Sequence, residues 1–530
     1  MFDYVLQGGL VADGTGQSSF QGDVCIQDGK IAAVLPHFQG ECRRVLDVTG
    51  KIVSPGFIDI HTHSDTIPLL SDMNPESKLF QGVTLEITGN CGISHLPAPP
   101  QRREELARFY NAALPASVAQ VDLEDPDLEH YAARVARHPP AIHYGVLIGH
   151  GTLRGAVMGF DMRPPTPKEQ AEMERLLDRM LEQGAFGMSL GLIYPPSSFA
   201  DREELMGLAR VLAARDRILS VHMRSESTGL FDAVEEMLEV ARRSGVHLEI
   251  SHLKLMGRPQ WGRSGALLDR LEHARQAGIR VTCDQYPYTA GSTGLSALAP
   301  GWAHDGGVTQ LVRRAQNPSQ RLLEDIRREL ERRGGPEAVL VVDTHGALPE
   351  CDGRTLSEIA QERDLSPERA AADCLAQCGG SVSCIYFTMD PDDVCRIMRD
   401  PHISVGSDGV SYEYAAAAHH RFHPRNFSTF PRFLQTVREK QLLPLETAVY
   451  KMTGLPASVL GLRDRGWIKA GMQADLTVFT WEQVEDRSTY LKPAVKPQGI
   501  DYVFVGGELA LERGVQTAAR RGRVLLRGKE

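Results

Sequence analysis

The run Phe57-Ile58-Asp59-Ile60-His61-Thr62-His63-Ser64-Asp65 is the starting point for predicting the fold of this 530-residue chain. It places two histidines, two residues apart, at the end of a short apolar segment that Pro55-Gly56 introduces. Side chains at i and i+2 of a strand point to the same face, so His61 and His63 can reach one metal ion. A His-x-His pair alone is a weak signal, because two ordinary histidines in a strand or turn give the same pattern.

Later apolar, strand-like runs also finish at a potential metal ligand. The ligands at their carboxyl ends are Cys91, His222, His252 and Asp408. In a (β/α)8 barrel the carboxyl ends of the strands converge on one face, which carries the catalytic groups. Between these runs the sequence forms amphipathic helices, and this alternation is typical of a parallel sheet. We therefore predict an α/β fold with a (β/α)8 TIM-like barrel over residues 55–466.

Several longer motifs give the sequence a family resemblance. They are Gly89-Asn90-Cys91-Gly92, Val221-His222-Met223-Arg224-Ser225-Glu226, Ser251-His252-Leu253-Lys254, Tyr286-Pro287-Tyr288-Thr289-Ala290-Gly291-Ser292-Thr293, Gly406-Ser407-Asp408-Gly409 and His423-Pro424-Arg425. Together with the His61-Thr62-His63 motif, they resemble the N-acyl-D-amino-acid deacylases (D-aminoacylases) of the amidohydrolase superfamily, over essentially the whole chain. The resemblance implies an enzyme that hydrolyses the linear amide bond of N-acyl-D-amino acids to a D-amino acid and a carboxylate.

Both ends of the chain are rich in strand signals. Short apolar runs separated by turns fill residues 1–54, and similar runs follow residue 467. We expect the segments 1–54 and 467–530 to pair into one small β-sandwich beside the barrel, as the superfamily resemblance also implies. A glycine-rich excursion after the seventh strand, at about 289–345, is predicted to be a lid-like insertion at the catalytic face, although a surface excursion would have the same composition.

The residues at the strand ends suit amide hydrolysis. A zinc ion polarises a carbonyl and lowers the pKa of its water to roughly 7. Asp408 is the candidate general base and acid for the proton transfer. Many members of the superfamily carry a bridging lysine on the fourth strand; residues 185–191 contain none, and the resemblance implies that Cys91 replaces it. A turn-capping aspartate and a buried core thiol are the alternative interpretations of Asp408 and Cys91.

Charge counting predicts how many zinc ions stay bound. One zinc is neutralised by the Cys91 thiolate and the Asp408 carboxylate, whereas a second would leave the pocket with a net charge of about +2. We predict one tightly bound zinc on Cys91, His222 and His252. A second, weaker site would consist of His61, His63, Cys91 and Asp408.

The substrate carboxylate needs cationic and hydroxyl partners. By the family match these are Lys254, Tyr288, Ser292 and Arg425, with Tyr286 as the less favoured tyrosine. Arg425 can form a bidentate pair with a carboxylate. Near the strand ends, Glu226, Arg224, His150 and Tyr194 are expected to support the site. The substrate side chain stays open, because Leu298 and Trp302 suggest an apolar surface and nearby arginines suggest an acidic substrate.

Composition and charge narrow the partners to a small-molecule substrate. A net charge of −10 argues against nucleic acid and anionic membranes, and no apolar run approaches the ~20 residues that cross a bilayer. The first nine residues show no secretory signal, and nine scattered cysteines favour a reducing compartment, so the cytoplasm is expected. The alternative functions are a cyclic-amide hydrolase of the hydantoinase or dihydroorotase kind, a D-dipeptidase and a non-catalytic scaffold.

Overall fold

The centre of the computed structural model, which describes residues 1–70, 76–113 and 123–529, is a parallel sheet that curves into a nearly closed barrel. In chain order its eight strands within these ranges are Phe57–Asp59, Val83–Thr88, His143–Gly149, Gly187–Gly191, Ile218–His222, His247–Ile250, Val281–Gln285 and Ile403–Val405. Each strand pairs with the next one in sequence, and a parallel bridge between Thr62 and Gly409 links the ends of the first and the eighth. The predicted (β/α)8 barrel is confirmed.

Helices cover the barrel and begin and end at local sequence signals. Pro167–Gln183 follows Thr166, which forms a capping box with Glu169, and it ends at Gly184 in the left-handed conformation. The α-helices on the barrel are Arg103–Ala113, Leu128–Val135, His150–Met158, Pro167–Gln183, Arg202–Ala214, Leu230–Ser244, Ser264–Gln276, Pro391–Arg399, Tyr414–Ala417, Arg425–Lys440, Leu445–Met452 and Gly454–Leu460. Within the described ranges, no helix has both the length and the apolar character that crossing a bilayer requires.

The two ends of the chain meet in a second sheet, which has nine strands in the described part of the protein. They are Phe2–Val11, Phe20–Gln27, Lys30–Leu35, Cys42–Asp47, Ile52–Pro55, Leu476–Phe479, Ile500–Val505, Glu508–Glu512 and Val515–Gln516. Leu476–Phe479 pairs antiparallel with Ile52–Pro55 and so joins the carboxyl-terminal strands to the amino-terminal ones. Side chains from both sets, among them Val24 and Phe504, share one apolar core.

The last residues of the chain leave this sheet and run along the barrel. The Gly522 amide donates to the Pro140 carbonyl, and Tyr144 exchanges backbone hydrogen bonds with Arg523 and Leu525. These contacts lie at the amino ends of the barrel strands. The predicted segment 467–530 therefore divides, and its final part contacts the amino ends of the barrel strands rather than the nine-stranded sheet.

A separate unit, here called the insertion domain (residues 290–387), lies between the seventh and eighth barrel strands. Its strands are Ala290–Gly294, Val339–Asp343, Arg354–Thr355 and Ser383–Phe387, and its α-helices are Val308–Gln316, Gln320–Arg332, Leu356–Glu362 and Pro367–Gln377. It has its own apolar core, which includes Leu298, Ile326 and Leu375. The predicted limit of about 289–345 is too short, because the first strand of the domain pairs with its last strand, Ser383–Phe387.

Candidate metal centre and active site

The carboxyl ends of the barrel strands bring all six predicted metal and catalytic residues together. The ligand atoms of Cys91, His222 and His252 lie within 4.8 Å of one another, and so do those of His61, His63, Cys91 and Asp408. The Sγ atom of Cys91 lies 3.4 Å from Nε2 of His61 and 3.4 Å from Nε2 of His252. Because Cys91 belongs to both groups, its thiolate is placed to serve two neighbouring cation positions.

Three of these residues have a backbone conformation that side chains other than glycine rarely adopt. The φ angles of Cys91, His252 and Asp408 are 53°, 38° and 51°. A left-handed conformation in such residues costs on the order of 1–3 kcal/mol each and persists only where the surroundings hold it. The ends of the second, sixth and eighth strands thus store strain at the point where the ligands meet.

The turn that carries Cys91 is held by the third and fourth barrel strands. On the fourth strand, Ser189 donates its hydroxyl to the Gly89 carbonyl and accepts a 2.9 Å hydrogen bond from the Gly92 amide. A Cβ atom on Gly89, whose φ is 78°, would lie 1.9 Å from the Leu147 carbonyl oxygen. The fourth strand therefore supplies a serine that supports the cysteine turn, at the level where other superfamily members were expected to supply a lysine.

Two buried carboxylates orient the histidines. Oδ2 of Asp284 lies 3.0 Å from Nδ1 of His61, and Oε1 of Glu226 lies 3.1 Å from Nδ1 of His252. The Asp284 carboxylate accepts the Nδ1 proton of His61 and leaves Nε2 as the ligand atom. Nδ1 of His252 also lies 2.8 Å from Nζ of Lys254, which Glu226 binds in turn, and in both rings Nε2 faces Cys91. Glu226 was expected near the site, whereas Asp284 was missed. The available signal was an aspartate inside the short strand Val281–Gln285.

The donor set fits a zinc ion. Both ring nitrogens of His222 are buried and have no hydrogen-bond partner within the described residues, although buried polar atoms nearly always have one. Burial lowers the pKa of His222, which keeps its ring neutral. Burial raises the pKa of the Cys91 thiol, but His61 and His252 outweigh it and hold that pKa well below its usual range. A thiolate with imidazole nitrogens is a typical zinc ligand set.

Asp408 is held as an ionised carboxylate. Its Oδ1 lies 3.0 Å from Nε2 of His63, and its Oδ2 accepts a 2.7 Å hydrogen bond from Nη1 of Arg425. Burial raises the pKa of this carboxyl, but the charges of Arg425 and His252 lower it more, so the pKa lies well below its ordinary value. Asp408 is therefore ionised at neutral pH, which is the state that a general base requires.

A cavity of about 400 Å³ opens from the metal-ligand cluster, with walls from both the barrel and the insertion domain. This volume suits a small molecule. Of the predicted carboxylate-binding residues, Lys254, Ser292 and Arg425 line it, and so does Tyr286. The insertion domain adds residues that include Ala297, Arg333, Val342 and Tyr386.

The two tyrosines exchange the roles that the sequence suggested. Tyr286 contacts two cations, with its ring centroid 5.7 Å from Nζ of Lys254 and 5.3 Å from Cζ of Arg425. Tyr288 is buried outside the described cavity wall and donates its hydroxyl to Asp486 at 3.3 Å. Tyr286, and not Tyr288, therefore lies beside the predicted carboxylate-binding cations. The chain bends at Pro287, so the alternation of side chains along the seventh strand does not continue through both tyrosines.

The predicted substrate-binding cations already have partners on the protein. Nζ of Lys254 donates to Oε1 of Glu226 at 2.6 Å, as Arg425 does to Asp408. Ser292 donates its hydroxyl to the Cys384 carbonyl at 3.0 Å, and its own carbonyl accepts a 3.2 Å hydrogen bond from Arg425. Ser292 thus positions Arg425 at the cavity wall.

The remaining candidates lie at different depths. Tyr194 lines the cavity, with its ring 4.9 Å from that of His222. Arg224 also lines it and pairs with Glu236. His150 is fully buried against Ser197 and Glu204 and lies outside the described cavity wall. Leu298 and Trp302 belong to the apolar core of the insertion domain, so they do not supply the apolar substrate surface that the sequence suggested.

Known proteins resemble the chain along its whole length. The amidohydrolase family matches residues 44–322 and 385–510. An N-acyl-D-glutamate deacylase of Alcaligenes xylosoxydans xylosoxydans is 38% identical over 528 residues, which cover 99% of this chain and 96% of the relative. The crystal structure of an N-acyl-D-glutamate deacylase from Bordetella bronchiseptica, complexed with zinc and a phosphonate mimic of the tetrahedral intermediate, has a TM-score of 0.83 at 35% identity and covers 99% of both chains.

A D-aminoacylase structure is similar to the same degree. Its TM-score is 0.83 at 36% identity, covering 99% of this chain and 100% of the other. That enzyme has a binuclear metal centre, for which one-metal activation and second-metal attenuation are described.

Proposed function

The chain belongs to the amidohydrolase family, among the N-acyl-D-amino-acid deacylases, and on this basis we propose that it is a zinc-dependent hydrolase of N-acyl-D-amino acids. The observation that carries the proposal is the convergence of Cys91, His222 and His252 next to the ionised Asp408 in one cavity. The products are a D-amino acid and a carboxylate. The D preference rests on the relatives.

We propose one tightly held zinc on Cys91, His222 and His252. The buried charges around the two ligand groups support this, because they add up to about −2, which one dication neutralises and two would exceed. The charges counted are those of Cys91, Glu226, Asp284, Asp408, Lys254 and Arg425. His61, His63, Cys91 and Asp408 would form the weaker second position.

The bound zinc would polarise the amide carbonyl and make a water acidic near neutral pH. Asp408 accepts the proton of the attacking water and returns it to the leaving nitrogen. His63 and Arg425 each hold one oxygen of this carboxylate, so it keeps its direction through both transfers. The insertion domain closes one side of the cavity and limits the access of bulk water, which supports its proposed role as a lid.

The group Lys254, Tyr286, Ser292 and Arg425 is proposed to bind the α-carboxylate of the substrate. Both cations lie within 5.7 Å of the Tyr286 ring centroid, and Ser292 fixes Arg425 through its carbonyl. A carboxylate that enters here gains charge-assisted hydrogen bonds from groups already oriented by Glu226 and Asp408. The size of the cavity further supports a small-molecule substrate. The free state of all nine cysteines supports the reducing cytoplasm as the place of action.

The test is a panel of N-acetyl-D- and N-acetyl-L-amino acids, assayed with and without a zinc chelator. We expect hydrolysis of D substrates only, its loss with chelator and its return with zinc. Asp408→Asn keeps the shape but not the basicity and is expected to lower kcat by about 10²–10⁴-fold. Hydrolysis of hydantoin or dihydroorotate in place of the linear amides would instead support a cyclic-amide hydrolase, and an inactive zinc-loaded protein would support a scaffold.

A further inference from the structure

The part of the cavity wall that the insertion domain forms contains a buried guanidinium. Arg333 lines the cavity directly after the helix Gln320–Arg332, and its side chain is 8% exposed. Its Nε donates to Oε1 of Glu329 at 2.8 Å, and its Nη2 donates to the Ala297 carbonyl at 3.4 Å. The guanidinium lies 4.8 Å from the ring centroid of Tyr386. Nη1 has no hydrogen-bond partner among the described residues, so this buried cation keeps unused donors at the cavity.

The charge of this wall is only half neutralised. The Glu329 carboxylate serves two guanidiniums, because its Oε2 also accepts a 3.4 Å hydrogen bond from Arg332. Another arginine of the cavity wall, Arg224, has Glu236 for itself, with hydrogen bonds of 3.0 and 3.1 Å. Arg332 is 57% exposed and is solvated, so the buried cation of this wall is Arg333, which shares a partly exposed carboxylate. A buried cation is costly unless an anion pairs with it, so Arg333 favours an anionic ligand on this side of the cavity.

A continuous wall connects this cation with the metal centre. The ring centroids of Tyr194 and His222 lie 4.9 Å apart, and the Tyr194 hydroxyl lies 2.9 Å from Oγ1 of Thr293. The next carbonyl along the strand, that of Gly294, accepts a 3.3 Å hydrogen bond from Tyr386, whose ring contacts Arg333. One small molecule can thus extend from the reacting amide along Tyr194 to the guanidinium.

We propose that the preferred substrates carry a second carboxylate, which Arg333 binds. This rests on the proposed deacylase function, in which the α-carboxylate occupies the other group of cations. The second carboxylate belongs either to the side chain of the D-amino acid, as in an acidic residue, or to the acyl group, as in a succinyl amide. Either carboxylate would take the free Nη1 donors of Arg333 and neutralise the excess charge that Glu329 leaves.

The experiment compares kcat/KM for N-acetyl-D-glutamate, N-succinyl-D-alanine and N-acetyl-D-glutamine, with zinc present. N-acetyl-D-glutamine is a monoanion whose side-chain amide is neutral and is called the neutral amide here. We expect one of the two dianions to exceed the neutral amide by about a hundredfold, because a site built for a charged partner rejects the analogue that lacks it. Preference for the glutamate substrate assigns the carboxylate to the side chain, and preference for the succinyl substrate assigns it to the acyl group. In Arg333→Met the ratio of kcat/KM for the preferred dianion to kcat/KM for the neutral amide is expected to fall to about one.

The control is Arg328→Met, which removes the same charge from the helix that precedes Arg333; Arg328 is 62% exposed and pairs with Asp325. It is expected to keep the wild-type ratio. The inference is overturned if wild-type protein hydrolyses the neutral amide as well as both dianions, a result that needs no variant to fold. It is also overturned if Arg328→Met and Arg333→Met reduce the ratio equally. Inactivity of the zinc-loaded protein on every N-acyl-D-amino acid refutes the proposed function itself, whereas equal activity on all of them refutes only this inference.

Discussion

Replacing Glu226 by glutamine tests two roles of this carboxylate, which are to orient a metal ligand and to stabilise the fold. Glu226 is 7% exposed, and its Oε1 lies 2.6 Å from Nζ of Lys254 and 3.1 Å from Nδ1 of His252. The amide keeps the shape but leaves the Lys254 ammonium, which is 6% exposed, without an anion. Breaking a buried pair on one side costs about 3–5 kcal/mol of stability. Loss of a carboxylate that orients a histidine ligand lowers metal affinity about 10–100-fold.

Two assays distinguish these effects. Thermal unfolding with saturating zinc reports the stability loss, and competition with a fluorescent chelator reports the zinc dissociation constant. In the double variant Glu226→Gln/Lys254→Met the unpaired charge is gone, so we expect stability to return to within about 1 kcal/mol of wild type while zinc binding stays weak.

The matched control is Glu236→Gln. Glu236 also pairs with an arginine of the cavity wall, Arg224, but the structure shows no contact between it and the described metal-ligating residues. Its zinc affinity should equal that of wild type. The role assigned to Glu226 is refuted if Glu226→Gln binds zinc as tightly as wild type, or if both variants weaken zinc binding equally.

Three further expectations concern single residues. Tyr286→Phe should raise KM for N-acetyl-D-amino acids about tenfold in steady-state assays, since one hydrogen bond to a charged group is lost. Tyr288→Phe should leave KM unchanged. A higher KM in Tyr288→Phe and an unchanged KM in Tyr286→Phe would instead assign the substrate-binding role to Tyr288. Gly89→Ala should fail to bind zinc and unfold at a lower temperature, because its Cβ would lie 1.9 Å from the Leu147 carbonyl; normal zinc content and melting would contradict this. Burial lowers the pKa of Lys451 to about 7 in the folded protein, whereas its value in the unfolded chain is about 10.4. Between these two pH values the unfolded state binds more protons than the folded state, so the free energy of unfolding rises with pH. From pH 7 to 9 wild type should gain about 2 kcal/mol more unfolding free energy than Lys451→Met, and an equal pH response of the two proteins would exclude this.

The barrel and the metal ligands could be predicted because their signals are local. Each ligand follows an apolar run, and the topology of a parallel barrel brings the carboxyl ends of such runs to one face. The partners that orient the ligands are not local in sequence. Asp284 contacts His61 across 223 positions, and no short motif contains both residues.

The boundaries of the insertion domain and the choice of tyrosine depended on tertiary structure. Ala290–Gly294 reads as a loop until Ser383–Phe387 pairs with it, since a strand with two glycines has little apolar pattern of its own. Tyr286 and Tyr288 are equivalent in the motif, and only the bend at Pro287 separates them. Arg333 could not be chosen among the arginines of its region, because their helix has both an exposed and a buried face.

The pairing of Ile52–Pro55 with Leu476–Phe479 has a consequence for how the chain matures on the ribosome. The partner strand is translated more than four hundred residues after Ile52, which at about 5–20 residues per second takes on the order of 20–80 s. During that time the early strands present an unpaired backbone edge, and such edges recruit other chains. The nascent chain is thus expected to depend on chaperones until the final strands emerge. The full-length chain, when it refolds from denaturant, is expected to depend on them far less.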